Sequence, residues 1–351
     1  MPRLLPTITV FSATPEVAEC LSLSCNGICS LDIIRDDCLT GYGATIEFEP
    51  QNISASTLES LRKAEILISE PALVASLLKH DAGCFESLKW CQSTYAGVDP
   101  LFTDPEVVAV AKPWVLTRFA GAFGPPIAEW CLGRIIEHER SFATSAADQK
   151  TKDWVGSRRV VTEYRYLSSL TLAVLGCGDI GRCIVKAAAC FGMKTIAYGK
   201  SRRMARDVDG LDEYTQDLDE ALRAGDYVVS VLPSTKETRG LLSGEGLAAA
   251  AKTNGGKSPP FLNVGRGDVI NEASIVSSLD RGYISAAILD VFETEPLPAK
   301  SPLWDKPGVI VSPHISGLTQ ASDVPKLLLA NYRLFVDGEP LMHVVDWNKG
   351  Y

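Results

Sequence analysis

Short apolar runs alternate along the chain with stretches whose apolar residues recur at helical spacing. In the first third, Ile8-Thr9-Val10-Phe11, Glu65-Ile66-Leu67-Ile68 and Leu88-Lys89-Trp90-Cys91 read as strands. Residues 58–64 and 72–80 read as the helices between them, and the alternation predicts a small parallel sheet. Gly121-Ala122-Phe123-Gly124-Pro125-Pro126 is a stiff, turn-rich segment ahead of a helix over 127–142. Residues 144–159 are polar and lack apolar periodicity, which predicts a segment running over the surface.

From Leu170 the rhythm becomes regular. Strands are predicted at 170–175, 194–198, 227–232, 261–264, 285–289 and 308–312, with helices at 180–191, 218–223, 245–251 and 272–280. Short apolar strands alternating with helices predict a doubly wound parallel sheet covered on both faces, with its ligand at the carboxyl ends of the strands. Residues 253–260 form a turn-rich surface loop before the fourth of these strands. After His314 the pattern offers one more helix, 324–335, and a tail. One helix cannot make a domain, so it is expected to pack back on the first. The predicted division is residues 1–128 with 317–351, and residues 129–316.

Composition narrows the function classes. The 351 residues are 46% apolar and 22% charged, an ordinary globular balance with apolar mass for two cores. The formal net charge of −9 and the lack of a Lys/Arg block argue against a nucleic-acid partner. No run approaches the roughly 18 apolar residues of a membrane span, so no membrane partner is expected. The stretch Met1 to Pro6 lacks a signal-peptide core and reads as the start of a cytoplasmic chain. The 10 cysteines read as small buried hydrophobes rather than disulfides. Their one loose cluster contains Cys25-Asn-Gly-Ile-Cys29, which is not zinc-knuckle spacing, and His80, His138, His314 and His343 all lie far from it. No metal is expected.

Val174-Leu175-Gly176-Cys177-Gly178-Asp179-Ile180-Gly181 is a GxGxxG run leaving a strand and opening a helix. In that setting Gly176 makes the tight turn, Gly178 lets the backbone approach a pyrophosphate, and Gly181 lets the helix pack on the strand. The helix amides then receive the phosphates. A ligand-free strand-to-helix turn would use the same glycines; the strand and helix around them favour the dinucleotide. Where an NAD site places Asp or Glu, about 20 residues on, the second strand ends in Tyr198-Gly199-Lys200-Ser201-Arg202-Arg203. Three cations and a hydroxyl replace the carboxylate, and Gly199 leaves room where its side chain would stand. Ser201 and Arg202 are the first candidates for a 2′-phosphate, so NADP(H) is the preferred cofactor, with NAD(H) as a lesser one. A solvated basic turn is the competing reading.

Three later strand ends carry polar residues out of keeping with their surroundings. Arg266 stands between Gly265 and Gly267, and its fork matches a carboxylate. Asp290 ends a strand, and Glu295 precedes Pro296-Leu297-Pro298, while Glu293 reads as outward-facing. His314 follows an apolar strand in Val311-Ser312-Pro313-His314. A histidine with a carboxylate partner is suited to proton transfer near neutral pH. Taken singly, each also fits a surface arginine, a solvated acidic loop or a satisfied core histidine.

Together these runs, with Ala96-Gly97-Val98-Asp99, Ile127-Ala128-Glu129-Trp130, Leu232-Pro233, Glu237-Thr238 and the tail from Val344 to Tyr351, resemble the D-isomer-specific 2-hydroxyacid dehydrogenases, in particular their glyoxylate/hydroxypyruvate reductase-like branch. The resemblance spans nearly the whole chain. It implies an α/β fold of two Rossmann-like domains with parallel sheets flanked by helices, separated by an active-site cleft. The first would be the substrate-binding domain and the second the dinucleotide-binding domain. It implies an enzyme passing a hydride between NAD(P)H and the keto carbon of a small 2-keto acid, giving the D-2-hydroxy acid. Arg266 would bind the substrate carboxylate, His314 would be the general acid and Glu295 its partner. Ala96, Gly97 and Val98 would offer amides to the carboxylate, and the side-chain end of the pocket would come from residues 93–101 and Arg118. Asp179, Ile180, Leu232, Pro233, Thr238 and Val264 would line the cofactor, with Asp290 beside the nicotinamide carboxamide. A homodimer would form through the helix over 127–142. Two alternatives stand beside this one: an NAD(H)-sensing co-repressor-like scaffold, and an NAD-preferring dehydrogenase for a different 2-keto acid.

Overall fold

The computed structural model describes residues 5–41, 46–201, 204–252, 256–348 and 350. The chain divides into two compact units, Met1–Ala122 with Leu318–Tyr351, and Phe123–Gly317.

The first unit runs β1 (Ile8–Val10), α1 (Val17–Cys25), β2 (Leu31–Ile33), β3 (Leu39–Thr40), β4 (Glu47–Phe48), α2 (Ala55–Lys63), β5 (Ile66–Ser69), α3 (Pro71–His80), β6 (Trp90–Ser93), the short helices α4 (Pro100–Thr103) and α5 (Pro105–Ala109), and β7 (Val115–Thr117). Five of these strands form a parallel sheet in the order β2-β1-β5-β6-β7. All four residues of β5 are buried, as expected of a central parallel strand covered on both faces. Ser54 caps α2 by accepting the Thr57 amide, and Pro71 begins α3, where a missing N–H costs nothing. Phe11, Leu61, Leu67, Leu77, Trp114 and Leu116 belong to the core. The helix at Val324–Asp337 returns to this unit. Its buried Asn331 donates to Gln92 Oε1 and its Tyr332 hydroxyl donates to the Pro6 carbonyl.

The second unit opens with α6 (Gly124–Arg140), α7 (Phe142–Thr151) and α8 (Arg158–Thr162). Then come β8 (Thr171–Leu175), α9 (Asp179–Cys190), β9 (Lys194–Tyr198), β10 (Glu213–Thr215), α10 (Leu218–Ala224), β11 (Tyr227–Ser230), β12 (Phe261–Asn263), α11 (Glu272–Asp280), β13 (Ala287–Leu289) and β14 (Val309–Val311). All seven strands are parallel, in the order β10-β9-β8-β11-β12-β13-β14. Among the described residues, no helix is long and apolar enough to cross a membrane.

Four details depart from the sequence reading. The division falls at Ala122/Phe123 rather than at residue 128, because α6 already begins at Gly124. A Cβ on Gly124 would lie 2.4 Å from Cys183 Sγ on α9, so the helix start is seated on the second unit. The polar stretch at 144–159 is largely helical, although α7 buries nothing. The helix expected at 245–251 is a set of turns with one 3-10 turn at Ala248–Ala250. The seven-stranded sheet also has an edge strand, β10, whose three residues are only partly buried or exposed.

Candidate active site

The strand order places the polar residues singled out above along one edge of the second sheet. The strand order reverses between β8 and β11, which run parallel, and this reversal is the switch point where ligands of doubly wound sheets bind. The glycine-rich loop leaves β8 there. Ser201 follows β9, Leu232 and Pro233 follow β11, and Val264 to Gly267 follow β12. Asp290 follows β13 and His314 follows β14.

The three glycines of the loop do different things. Gly176 has φ +106°, and a Cβ on it would lie 3.0 Å from the Val231 carbonyl oxygen. A Cβ on Gly181 would lie 2.0 Å from Gly176 O, so only glycine allows α9 to start this close. Gly178 is different: nothing lies within 4 Å of its Cβ position. That open space fronts the start of α9, where Gly178 provides no side-chain cap for the Asp179 and Ile180 end of the helix. The arrangement fits a dinucleotide, whose phosphates need close backbone approach at a helix N-terminus.

The end of β9 corrects one expectation. The space beside Gly199 is filled, because a Cβ there would lie 2.4 Å from the Tyr214 hydroxyl. Tyr214 donates that hydroxyl to Ser201 O at 2.7 Å, and Gln216 Nε2 donates to Lys200 O, so the edge strand clamps the turn from below. Ser201 is exposed; Arg202 and Arg203 lie outside the described residues. Lys200 is near the Glu237 carboxyl, which is held below its ordinary range first by the Thr235 hydroxyl and to a lesser degree by Lys200. Thr238 builds the turn itself: its hydroxyl accepts the Thr235 amide at 2.8 Å and donates to Pro233 O at 2.5 Å. Leu232 and Val264 are buried, and Pro233 is exposed.

Arg266 is held by its neighbours. A Cβ on Gly265 would meet Leu232 O at 2.6 Å, and one on Gly267 would meet the Phe292 carbonyl carbon at 1.9 Å. The β12 tip is therefore wedged between the loops that follow β11 and β13. Asn263 braces it, donating to Arg266 O at 3.0 Å and accepting the Gly265 amide at 3.2 Å. Arg266 Nη1 donates to Gly265 O at 2.8 Å.

His314 Nδ1 lies 2.8 Å from Glu295 Oε2, and Glu295 Oε1 accepts the Phe292 amide at 2.8 Å. The His314 side chain is 45% exposed and that of Glu295 24%, so the ring is open to a ligand while its partner is partly shielded. His314 has φ +55°, a costly conformation for a residue with a Cβ. Asp290 supplies the restraint. It is fully buried, and its carboxylate accepts Ser312 Oγ at 2.5 Å and the amides of Ile315 at 3.0 Å and Ser316 at 2.8 Å. Its own carbonyl accepts the His314 amide at 2.9 Å. The bracing by Asn263 and Ser312 is not apparent from the sequence; each is a buried polar residue at a strand tip, which was the available signal.

In the first unit, Ala96, Gly97 and Val98 follow β6. Among the described residues nothing accepts their amides, although the segment just before them is fully engaged. Three consecutive uncommitted amides suit an anion.

Comparison with known proteins gives this geometry a context. Residues 132–316 match the sequence model of the D-isomer specific 2-hydroxyacid dehydrogenase NAD binding domain. The chain is 32% identical to a D-isomer specific 2-hydroxyacid dehydrogenase family protein from Aeromonas salmonicida, with a TM-score of 0.81 over 97% of this chain and 99% of that one. This chain belongs to the D-isomer specific 2-hydroxyacid dehydrogenase family. It is therefore a nicotinamide-dependent oxidoreductase acting on small 2-hydroxy or 2-keto acids. It is also 30% identical over 275 residues to glyoxylate/hydroxypyruvate reductase B of Escherichia fergusonii, covering 76% of this chain and 81% of that one. A further relative is the NADPH-dependent glyoxylate/hydroxypyruvate reductase of Sinorhizobium meliloti, solved with NADP and sulfate. It is 26% identical, with a TM-score of 0.77 over 99% of this chain and 100% of that one.

Proposed function

We propose that the enzyme reduces glyoxylate or hydroxypyruvate to the D-2-hydroxy acid and prefers NADPH. The observation that carries this reading is the 2.8 Å pairing of His314 with Glu295 on the same sheet edge as the glycine-wedged Arg266. The bound nicotinamide supplies the hydride. The protein does the rest. Arg266 pairs with the substrate carboxylate and polarises the keto group. The uncommitted amides of Ala96, Gly97 and Val98 in the first unit are donors suited to a carboxylate. His314 uses Nδ1 for Glu295, which leaves Nε2 to give a proton to the keto oxygen. Glu295 fixes the ring's orientation through Nδ1. The first unit is the substrate domain and the second the dinucleotide domain.

The cofactor preference rests on the end of β9, where Tyr198, Gly199, Lys200 and Ser201 include no carboxylate to repel a 2′-phosphate. The Sinorhizobium meliloti relative, NADPH-dependent by name, agrees in kind. We further propose a homodimer through the second unit, supported by exposed apolar side chains around α7. The ten cysteines are free thiols, which suits the cytoplasm.

Initial rates with glyoxylate, hydroxypyruvate and larger 2-keto acids, each with NADPH and with NADH at one ionic strength, test the reading. One charged hydrogen bond to the 2′-phosphate contributes about 1.5–3 kcal/mol, which is roughly a 10- to 200-fold preference for NADPH. Equal or better efficiency with NADH removes the cofactor assignment. Turnover confined to larger keto acids removes the substrate assignment.

A further inference from the structure

Glu70 has no role in the reaction so far described, yet it is one of the most heavily bonded side chains in the first unit. It is fully buried. It directly follows β5, whose sheet neighbours are β1 and β6. Its Oε1 accepts Ser12 Oγ at 2.6 Å, Thr14 Oγ1 at 2.6 Å, the Thr14 amide at 3.2 Å and Thr94 Oγ1 at 3.1 Å. Its Oε2 accepts the Ala13 amide at 3.1 Å. Every one of these groups is a donor, the shell an acceptor-only carboxylate requires, and no lysine or arginine is among them. Its charge is felt nearby: burial first, and Glu70 second, push the Cys91 thiol up.

The donors come from two loops. Residues 12–14 follow β1, and Thr94 follows β6. Burying a carboxylate without a cation is costly, and an apolar side chain would fill a core position without that cost. What the carboxylate gains is a grip on both loops at once. Thr94 is fixed at three points: its amide donates to Ser69 O at 3.2 Å, its hydroxyl donates to Glu70, and its carbonyl accepts Thr319 Oγ1 at 2.8 Å. Immediately beyond it, the Tyr95 amide donates to Ser93 Oγ at 2.9 Å and the Tyr95 carbonyl accepts the Phe119 amide at 3.0 Å. The next three amides are the uncommitted ones of Ala96, Gly97 and Val98. The base of the loop is rigid and its tip is free to bind.

We propose that Glu70 is a positioning residue for substrate: through Thr94 it presets the Ala96–Val98 amides that receive the keto acid's carboxylate. This rests on the function proposed above. Preset donors add to affinity because their ordering is complete before binding. Loss of the grip therefore appears in the KM for the keto acid, and neither in hydride transfer nor in cofactor binding.

The test uses the full chain with saturating NADPH and varied glyoxylate or hydroxypyruvate. Glu70→Gln turns an NH2 toward donors, Thr94→Val removes one donor at nearly constant volume, and Thr94→Ser keeps it. Glu70→Gln and Thr94→Val are expected to raise the keto-acid KM by about tenfold, with kcat within about threefold and the KM for NADPH nearly unchanged. Thr94→Ser is expected to restore the wild-type KM. The inference is overturned by an unchanged KM in Thr94→Val, by equal impairment of the valine and serine variants, or by a loss confined to kcat. If Glu70→Gln does not fold, the Thr94 pair decides alone. A wild-type enzyme inactive on both acids would instead bring down the proposed function, and this inference with it.

Discussion

At the residue scale, the site depends on side chains whose work is to hold other groups in costly positions. His314 keeps a left-handed backbone because Asp290 bonds the residues on both sides of it. With Nδ1 committed to Glu295, the ring has one nitrogen, Nε2, left for a ligand. Replacing His314 with Gln is expected to lower turnover by about 100-fold or more, within the range of general acid catalysis, while the KM for NADPH survives. Glu295→Gln tests the pair more finely. Its amide has one acceptor oxygen where the carboxylate has two, so the Phe292 amide and the His314 ring can no longer both be held as they are. The ring loses its fixed orientation, and kcat is expected to fall by about tenfold with the KM for NADPH unchanged. An unchanged kcat would separate the two residues functionally. The places of Arg266 and His314 just after apolar strands, and of Glu295 just before Pro296, were legible in the sequence; the roles given to them are the proposal made above. Asp290's grip was not, since two of its donors are backbone amides 25 and 26 residues away. Glu70 was illegible for the same reason: its partners gather from residues 12–14 and 94 only when the sheet has formed.

At the scale of elements, buried parallel strands were easy to read, because both faces are covered and the apolar run is continuous. Elements that bury little were not. Helix α7 shows no apolar stripe, as it packs no face; its alanines, glutamine and lysine favour helix by intrinsic propensity alone. Strand β10 is a short edge, and its Tyr214 matters through a single hydroxyl. The joint between α6 and β11 likewise depends on a contact invisible to periodicity. Arg165 donates to both Glu139 oxygens, the Tyr227 hydroxyl donates to Glu139 at 2.8 Å, and His138 Nδ1 lies 2.6 Å from that hydroxyl. Burial pushes the Glu139 carboxyl up, but the Arg165 bonds outweigh it and hold the group below its ordinary range. A carboxyl depressed in the fold stabilises it at pH above the ordinary carboxylate range. That contribution is lost as pH falls through the folded value. Glu139→Ala is expected to cost about 3 kcal/mol near neutral pH, the low end for breaking a buried pair, because Arg165 keeps a third of its side chain in solvent. Urea unfolding of both proteins from pH 7 down to pH 3 checks this. The gap should narrow as the solution becomes acidic, and a gap independent of pH would mean that packing rather than charge is lost.

At the scale of the whole molecule, a lone helix after the last strand has to find a core elsewhere, and Val324–Asp337 falls in the first unit. Where the chain leaves that unit turns on Gly124's seat against Cys183, a tertiary contact that no periodicity announces. The assembly is the remaining step. Phe142 is 52% exposed, Trp154 87%, Val155 68% and Tyr166 72%, all in the second unit between the end of α6 and the start of β8. Scattered single apolar side chains on a surface need no explanation, but four large ones within one 25-residue stretch of helix and turn suit a protein partner. A second copy of the chain is the partner favoured here, and a symmetric pair would bring the same residues from both copies to one interface. Trp154 tests this best: its indole is almost wholly in water in the single chain, so losing it should cost the monomer fold little. Sedimentation equilibrium at micromolar concentration should give twice the chain mass for the wild type. Trp154→Asp should give the single-chain mass with an unchanged far-ultraviolet spectrum, because an aspartate on each side of the interface would be desolvated without a partner. A wild type that sediments as one chain would remove the dimer, and a variant that stays paired would leave these residues as exposed surface and move the dimer contact to another face.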